Sequence, residues 1–446
     1  MKKFVLLAAA AGALGLLGQH TVSTLKTTAE AYVYGYPLVI MEATRKATAT
    51  TANILSHNRT FPDHNFRAVV RPNNDTLYST SWIDLTQEPQ VLSVPDTGDR
   101  YYVMPFMDAW TNVFASVGTR TTGNQAGEYA LVGPDWHGQL PEGLTPINAP
   151  TNMVWLIGRT QTNGHDDINV VAELQQQFRL TGLTQWQAGT ETATANNSEL
   201  TLNNDEIAPV DQVEAMDAQT FFTALNQIMG EQAPAKADQP LLDRVASLGI
   251  GPNAKLTDST FTLMLMNKAI ELARDKFAAT IASKSDSQTS WELIREGIGN
   301  YGTDYKTRAF VAKIGLGALP PGEAMYPNTD NDSKGQALHG QHNYRIHFAA
   351  GQTPPVDAFW SITLYDEQGF MTNNPIQRYA IGDRNQLTYN DDGSLDIYVQ
   401  RGQPVSGQEN WLPSPEAPFS LTMRIYLPQQ AVLAGDWNLP AIQKIN

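Results

Sequence analysis

At 446 residues the chain is too long for one ordinary core, so two or three domains are expected. Hydrophobic residues make up 41% and charged residues 17%, a globular composition, and the formal net charge of -15 repels phosphate backbones and argues against nucleic acid as a partner. The chain has no cysteine, which excludes disulfides, thiol nucleophiles, iron–sulfur clusters and cysteine zinc sites together.

The first residues carry the pattern of an export signal, residues 1–23. Lys2 and Lys3 form a basic start, and Phe4 to Leu17 is an apolar run rich in Ala, Leu and Gly. That run is about 14 residues long, short of the roughly 20 that a membrane span needs. Cleavage after Gly18 or Ser23 fits, with an uncleaved N-terminal anchor as the alternative, and a periplasmic or secreted location is expected. No later segment is apolar enough to span a bilayer.

Thr28 to Val39 reads as a short, tyrosine-rich helix stopped near Gly35 and Pro37. Thr76 to Leu85, Tyr101 to Trp110, Thr111 to Val117, Tyr129 to Val132 and Met153 to Arg159 read as short strands at the spacing of an antiparallel sandwich, residues 24–163. From Gly164 the period changes to helical, with segments at Ile168–Phe178, Ala218–Met229, Leu241–Leu248, Thr260–Ile281, Trp291–Ile298 and Tyr305–Ile314. Residues 164–319 are therefore expected to be α-rich, with a polar loop at Gln185 to Asn204.

Residues 320–446 return to β structure. In Phe359 to Asp366, alternation puts Trp360, Ile362 and Leu364 on one face and Phe359, Ser361, Thr363 and Tyr365 on the other. Phe419 to Leu427 places Phe419, Leu421, Met423, Ile425 and Leu427 inward, opposite Ser420, Thr422, Arg424 and Tyr426. Two-faced strands of this kind suit a sandwich wall lining core or cleft. The fold class is α+β: a β-sandwich, a helical middle block and a C-terminal jelly-roll sandwich.

Several strings in the chain are long and specific. They include Ala31-Tyr32-Val33-Tyr34-Gly35-Tyr36-Pro37, Asn73-Asn74-Asp75-Thr76-Leu77-Tyr78 and Ala358-Phe359-Trp360-Ser361-Ile362-Thr363-Leu364-Tyr365-Asp366. Asp392-Gly393-Ser394, Asn410-Trp411-Leu412-Pro413, Arg424-Ile425-Tyr426 and Trp437-Asn438-Leu439-Pro440 complete the set. With these strings the chain resembles the bacterial proteins that join two domains of unknown function, DUF1254 at the N-terminus and DUF1214 at the C-terminus. The resemblance implies an immunoglobulin-like N-terminal sandwich, a helical insertion and a C-terminal jelly roll. It implies no reaction, and a fold alone supplies none.

No nucleophile elbow, zincin motif, P-loop or dinucleotide glycine fingerprint is present. His339, His342 and His347 match no standard ligand spacing, and Asp330 to Gly335 only imitates the opening of a calcium loop, so no metal or cofactor is assigned. One candidate site is the Asn73 to Tyr78 run, with Asp75 as general base, Tyr78 as proton donor, and Asn73, Asp108 and Asn112 as ligand contacts. The other is a polar strand face holding Arg345, His347, Tyr398, Arg424 and Tyr426, with His347 as proton donor and the arginines holding negative charge. Trp360 is a candidate stacking surface. The residues thus suggest hydrolase-like processing or capture of a small polar or sugar-like ligand in an interdomain cleft. The alternatives are a non-catalytic module for a cell-envelope glycan or protein, and a structural homo-oligomer.

Overall fold

The computed structural model describes residues 2–48, 51–67, 70–190, 198–199, 207–281 and 290–445. Two compact units emerge, one drawn from residues 1–46, 207–283 and 301–313, the other from 47–206, 284–300 and 314–446.

The first unit is helical. Its N-terminal helix runs unbroken from Lys2 to Thr48 with Pro37 inside it, so the expected stop near Gly35 and Pro37 does not occur. Packing overrides the two breakers. Tyr32, Tyr34 and Tyr36 are buried, Tyr32 meets the Phe221 ring at 4.7 Å, and any Cβ at Gly35 would overlap the Leu225 side chain. Gly35 thus serves close helix contact, and the proline costs one backbone hydrogen bond in a helix fixed by tertiary burial. The partner helix, Ala218–Glu231, is capped by Asp217, whose side chain accepts from the Thr220 amide at 2.8 Å. Helices Gln239–Val245, Thr260–Ile281 and Tyr305–Ile314 complete the unit.

The second unit holds two β-sandwiches. The first contains strands β1 (Thr76–Asp84), β2 (Gln90–Val94), β3 (Tyr102–Asp108), β4 (Val113–Gly118), β5 (Gly127–Val132), β6 (Thr145–Asn148), β7 (Met153–Gln161) and β8 (Arg179–Gly182). One sheet has the central order β1-β7-β3-β4, extended beyond β1 by Ser56–His57 and Ser198–Glu199; the other has the order β6-β5-β2-β8. Ile83, Tyr102, Met104, Phe106, Val154 and Leu156 from the first sheet meet Leu92, Val94, Leu131 and Leu180 from the second in one core. The expected boundary after residue 163 therefore falls inside this sandwich, because β8 completes its second sheet.

The second sandwich contains β9 (Tyr344–Phe348), β10 (Val356–Asp366), β11 (Ala380–Gly382), β12 (Leu395–Gln400), β13 (Trp411–Pro413), β14 (Phe419–Pro428) and β15 (Ile442–Lys444). One sheet runs β14-β10-β11, with the short strands Ala324–Met325 and Asn328–Thr329 also on β14; the other runs β13-β12-β9-β15. Trp360, Ile362 and Leu364 of β10 join Leu421, Met423 and Ile425 of β14 in the core against Ile346, Phe348 and Ile397. The expected helix at Trp291 to Ile298 is absent; Trp291 is buried in this core and donates its indole N–H to the Pro440 carbonyl at 2.8 Å. Its periodic apolar residues plug a sandwich rather than line a helix.

The opposite face of β10 and β14 does not meet water. Phe359 and Tyr426 pack with Tyr101 and Val103 of the first sandwich in a separate cluster, so this face is the seam between the two sandwiches. Among the described residues no helix is long and apolar enough to cross a membrane.

Candidate functional site

The seam is built by register. On β10 and β14 the outward pairs are Phe359 with Tyr426, Ser361 with Arg424, and Thr363 with Thr422. Onto this ladder the first sandwich lays Arg71 to Tyr78, the segment entering β1.

Asp75 is buried, at 1% exposure. One carboxylate oxygen pairs with the Arg384 guanidinium and the other accepts from the Ser361 hydroxyl at 2.7 Å. Arg384 also donates to the Asp75 and Thr162 carbonyls at 2.8 and 2.9 Å and lies 4.0 Å over the Phe359 ring. Both oxygens of Asp75 are thereby committed to the second sandwich. Asn73 turns the chain, accepting from the Asp75 amide at 2.5 Å and donating to the Tyr426 hydroxyl at 2.7 Å and the Tyr78 hydroxyl at 3.5 Å. This is Asx-turn chemistry joined to a long-range phenol contact.

Beside this latch lies a corner rich in donors. Arg159 of β7 stands opposite Tyr78 of β1, its guanidinium 5.2 Å from that ring, and only 5% exposed. It donates to the Gly317 carbonyl at 2.6 Å and the Ile157 carbonyl at 3.0 Å. Burial works against its charge, the Tyr78 side-chain oxygen supports it by hydrogen bonding, and its pKa is raised. Burial also raises the Tyr326 phenol and pushes Tyr426 well above the ordinary range, so both stay protonated donors. Among the described residues no carboxylate comes within 4.0 Å of Arg159. The neighbouring acid, Glu323, is spent on Arg120 at 2.6 Å and on the Tyr101 hydroxyl at 2.8 Å. A buried cation without a counter-ion is costly, and a fixed guanidinium among protonated phenols is suited to an oxyanion.

One acid at the seam's edge titrates unusually. Burial raises the Asp383 carboxyl to about 6, against the lowering pull of Arg384. The folded protein then holds a proton between about pH 4 and 6 that the unfolded chain has released, so this group's contribution to stability falls as pH rises through that window. Asp383→Asn should remove this component: the variant gains stability relative to wild type on going from pH 4.5 to 7.5. Urea midpoints of both proteins at the two pH values check it; an unchanged difference would contradict the burial argument.

The residues expected from sequence divide into separate places. Asp75, Tyr78, Asn73, Arg424 and Tyr426 meet at the seam. Arg345, His347 and Tyr398 do not join them, because β9 and β12 belong to the other sheet of the second sandwich. There Arg345 pairs across to Tyr398, the His347 ring nitrogen Nδ1 lies 2.7 Å from Asp396, and Arg345 is 3.8 Å from the same carboxylate. The expected single polar face is thus two faces of two sheets. Asp108 and Asn112 close a turn with each other at 2.9 Å. Asp108 pairs with Val154 while Thr76 pairs with Gln161, which puts them at opposite ends of β7, roughly 23 Å apart at ~3.3 Å per residue. Trp360 is 2% exposed and packs on Phe348 at 5.3 Å, so it offers no stacking surface. His339 accepts from the Gln341 amide at 3.2 Å, and among the described residues no group of three His, Cys, Asp or Glu is placed to hold a metal. Arg159, Arg384, Arg71 and Tyr326 carry no site signal in the sequence, and Ser361 shows there only as a polar position on its strand.

Residues 52–182 match DUF1254, described as a protein of unknown function, and residues 323–430 match DUF1214, described likewise. Asp75, Tyr78 and Arg159 fall in the first range, and Tyr326, Arg384, Arg424 and Tyr426 in the second. No curated protein matches the chain. Among solved structures it is similar to the VPA0106 protein from Vibrio parahaemolyticus, with 26% identity, 95% of this chain and 100% of that one covered, and a TM-score of 0.69. An uncharacterised protein from Burkholderia cenocepacia matches at 12% identity over 96% of each chain, with a TM-score of 0.46.

Proposed function

We infer that this chain, which belongs to the family joining an N-terminal DUF1254 domain to a C-terminal DUF1214 domain, captures a small anionic polar ligand at the Arg159 corner of its seam. The observation that carries this reading is Arg159 itself: a buried guanidinium, faced by protonated phenols, with no carboxylate beside it among the described residues. Capture is favoured over hydrolysis. A general base must be reachable by substrate or water, and Asp75 is 1% exposed, with Arg384 and Ser361 of the second sandwich packed on its two oxygens. Asp75 is assigned the latch between sandwiches, and Arg159, Tyr78 and Tyr326 the ligand. A carboxylate-bearing sugar or short organic acid suits one guanidinium with neighbouring hydroxyl donors. Export to the periplasm or medium belongs to the same proposal and rests on Lys2, Lys3 and the apolar run that follows.

Matched acid and neutral pairs test the reading: glucuronate against glucose, galacturonate against galactose, succinate against succinamide, each at equal ionic strength. The expected result is that at least one acid raises the melting temperature and its neutral partner does not, because a ligand at about 100 times its Kd stabilises by ~2.7 kcal/mol. Equal responses within every pair would overturn it.

A further inference from the structure

A pair of arginines lies farther along the same ladder, with no role in ligand capture at Arg159. Arg424 of β14 is 4% exposed and donates to the Thr363 hydroxyl at 2.8 Å, the Tyr365 hydroxyl at 2.7 Å and the Arg71 carbonyl at 3.0 Å. Arg71, half-buried, comes from the first sandwich and donates to the Thr422 hydroxyl at 2.8 Å and the Asn328 side-chain oxygen at 3.3 Å, both through one terminal nitrogen. Its Nε and second terminal nitrogen have no hydrogen-bond partner among the described residues. The two guanidiniums flank one ring, 5.6 and 5.8 Å from the centroid of Tyr365. Neither has a carboxylate within 4.0 Å among the described residues; Asp330 and Glu292 act on Arg71, and Asp75 on Arg424, only from farther away.

Two like charges gathered on one phenol repel each other, and burial together with Arg424 depresses the Arg71 pKa. The backbone pays as well. Arg71 adopts φ 51°, a left-handed conformation unusual outside glycine, and is held there by its amide donating to the Gly369 carbonyl at 2.7 Å. Strain that concentrates positive charge, with donors left unspent, is the arrangement of a site awaiting an anion.

We propose that Arg71 and Arg424 form a second anion site that takes a doubly charged tetrahedral oxyanion, a phosphate or phosphomonoester. Two guanidiniums match a dianion, as one matches a carboxylate at Arg159. Calorimetric titration with inorganic phosphate, and in parallel with glycerol phosphate, at constant ionic strength in chloride is the test. Wild type binds one equivalent. Arg71→Gly loses at least tenfold in affinity while its backbone stays at ease, since glycine accepts the left-handed φ. Arg71→Lys, which keeps the charge without the fork, falls between them, and Arg159→Met retains wild-type phosphate affinity. Tighter binding of one probe than the other identifies the ester or the free ion as the source and supports the site either way. No binding beyond chloride, undiminished binding in Arg71→Gly, or loss in Arg159→Met instead would each overturn it.

Discussion

Asp75→Asn is expected to destabilise the protein by about 3–5 kcal/mol, the usual cost of removing one partner from a buried ion pair. Were Asp75 a general base, as its place in the Asn73 to Tyr78 run suggests, the opposite would hold: lost turnover and an unchanged melting temperature. Burial decides between them. At 1% exposure, with Arg384 on one oxygen and Ser361 on the other, the carboxylate supports a guanidinium that also lies 4.0 Å over Phe359. Asparagine keeps one acceptor but removes the carboxylate that Arg384 holds most closely, leaving only Asp383, 3.8 Å from its Nε, as countercharge in a poorly hydrated seam. Arg384→Met alone should cost a similar amount, because it strands the acid. The double variant should lose less than the two single losses added together, by a coupling of about 2–3 kcal/mol in a double-mutant cycle. Chemical denaturation checks all three proteins; a loss below about 1 kcal/mol for Asp75→Asn would show that the pair is not a latch.

Arg159→Met is expected to reduce affinity for the strongest acid of the matched pairs by about 100-fold, or ~2.7 kcal/mol, in keeping with a charge-assisted hydrogen-bond set. Its effect on stability should be small, within about 1 kcal/mol of wild type. Methionine keeps the apolar stem and removes a buried cation that no carboxylate balances, while the Gly317 and Ile157 carbonyls each lose a donor. The contrast with Asp75 is the point: one substitution moves stability, the other binding. Calorimetric titration and unfolding on the same samples measure both. A large loss of stability with binding retained would make Arg159 structural and the ligand reading untenable.

The α+β class, the two sandwiches and the two-faced character of β10 and β14 were legible in sequence, because alternation at period two reports the pleat directly. That alternation already set Trp360 with Ile362 and Leu364, and it is in that core that the structure buries it. What alternation does not report is which sheet a strand joins. Arg345, His347, Arg424 and Tyr426 all alternate as polar positions, yet β9 and β14 lie in opposite sheets. The Asn73 to Tyr78 run was found because its side chains are unusual for a strand entry. Arg384 was not, since it sits after Gly382-Asp383 in an ordinary turn and meets Asp75 across 309 residues. Arg159 on a strand reads as a solvated outer position; only the second sandwich packed against that face makes it buried. The helix through Gly35 and Pro37 was missed for the same reason, as its stability comes from contacts such as Tyr32 with Phe221 rather than from local propensity.

The most direct measurement is a crystal structure of the wild-type protein grown with the strongest acid from the matched pairs. The account predicts the ligand's carboxylate at the Arg159 guanidinium, within hydrogen-bond distance of the Tyr78 or Tyr326 hydroxyl, with the Asp75–Arg384 latch intact. Ligand density elsewhere on the molecule, with Arg159 still bound only to the Gly317 and Ile157 carbonyls, would contradict it.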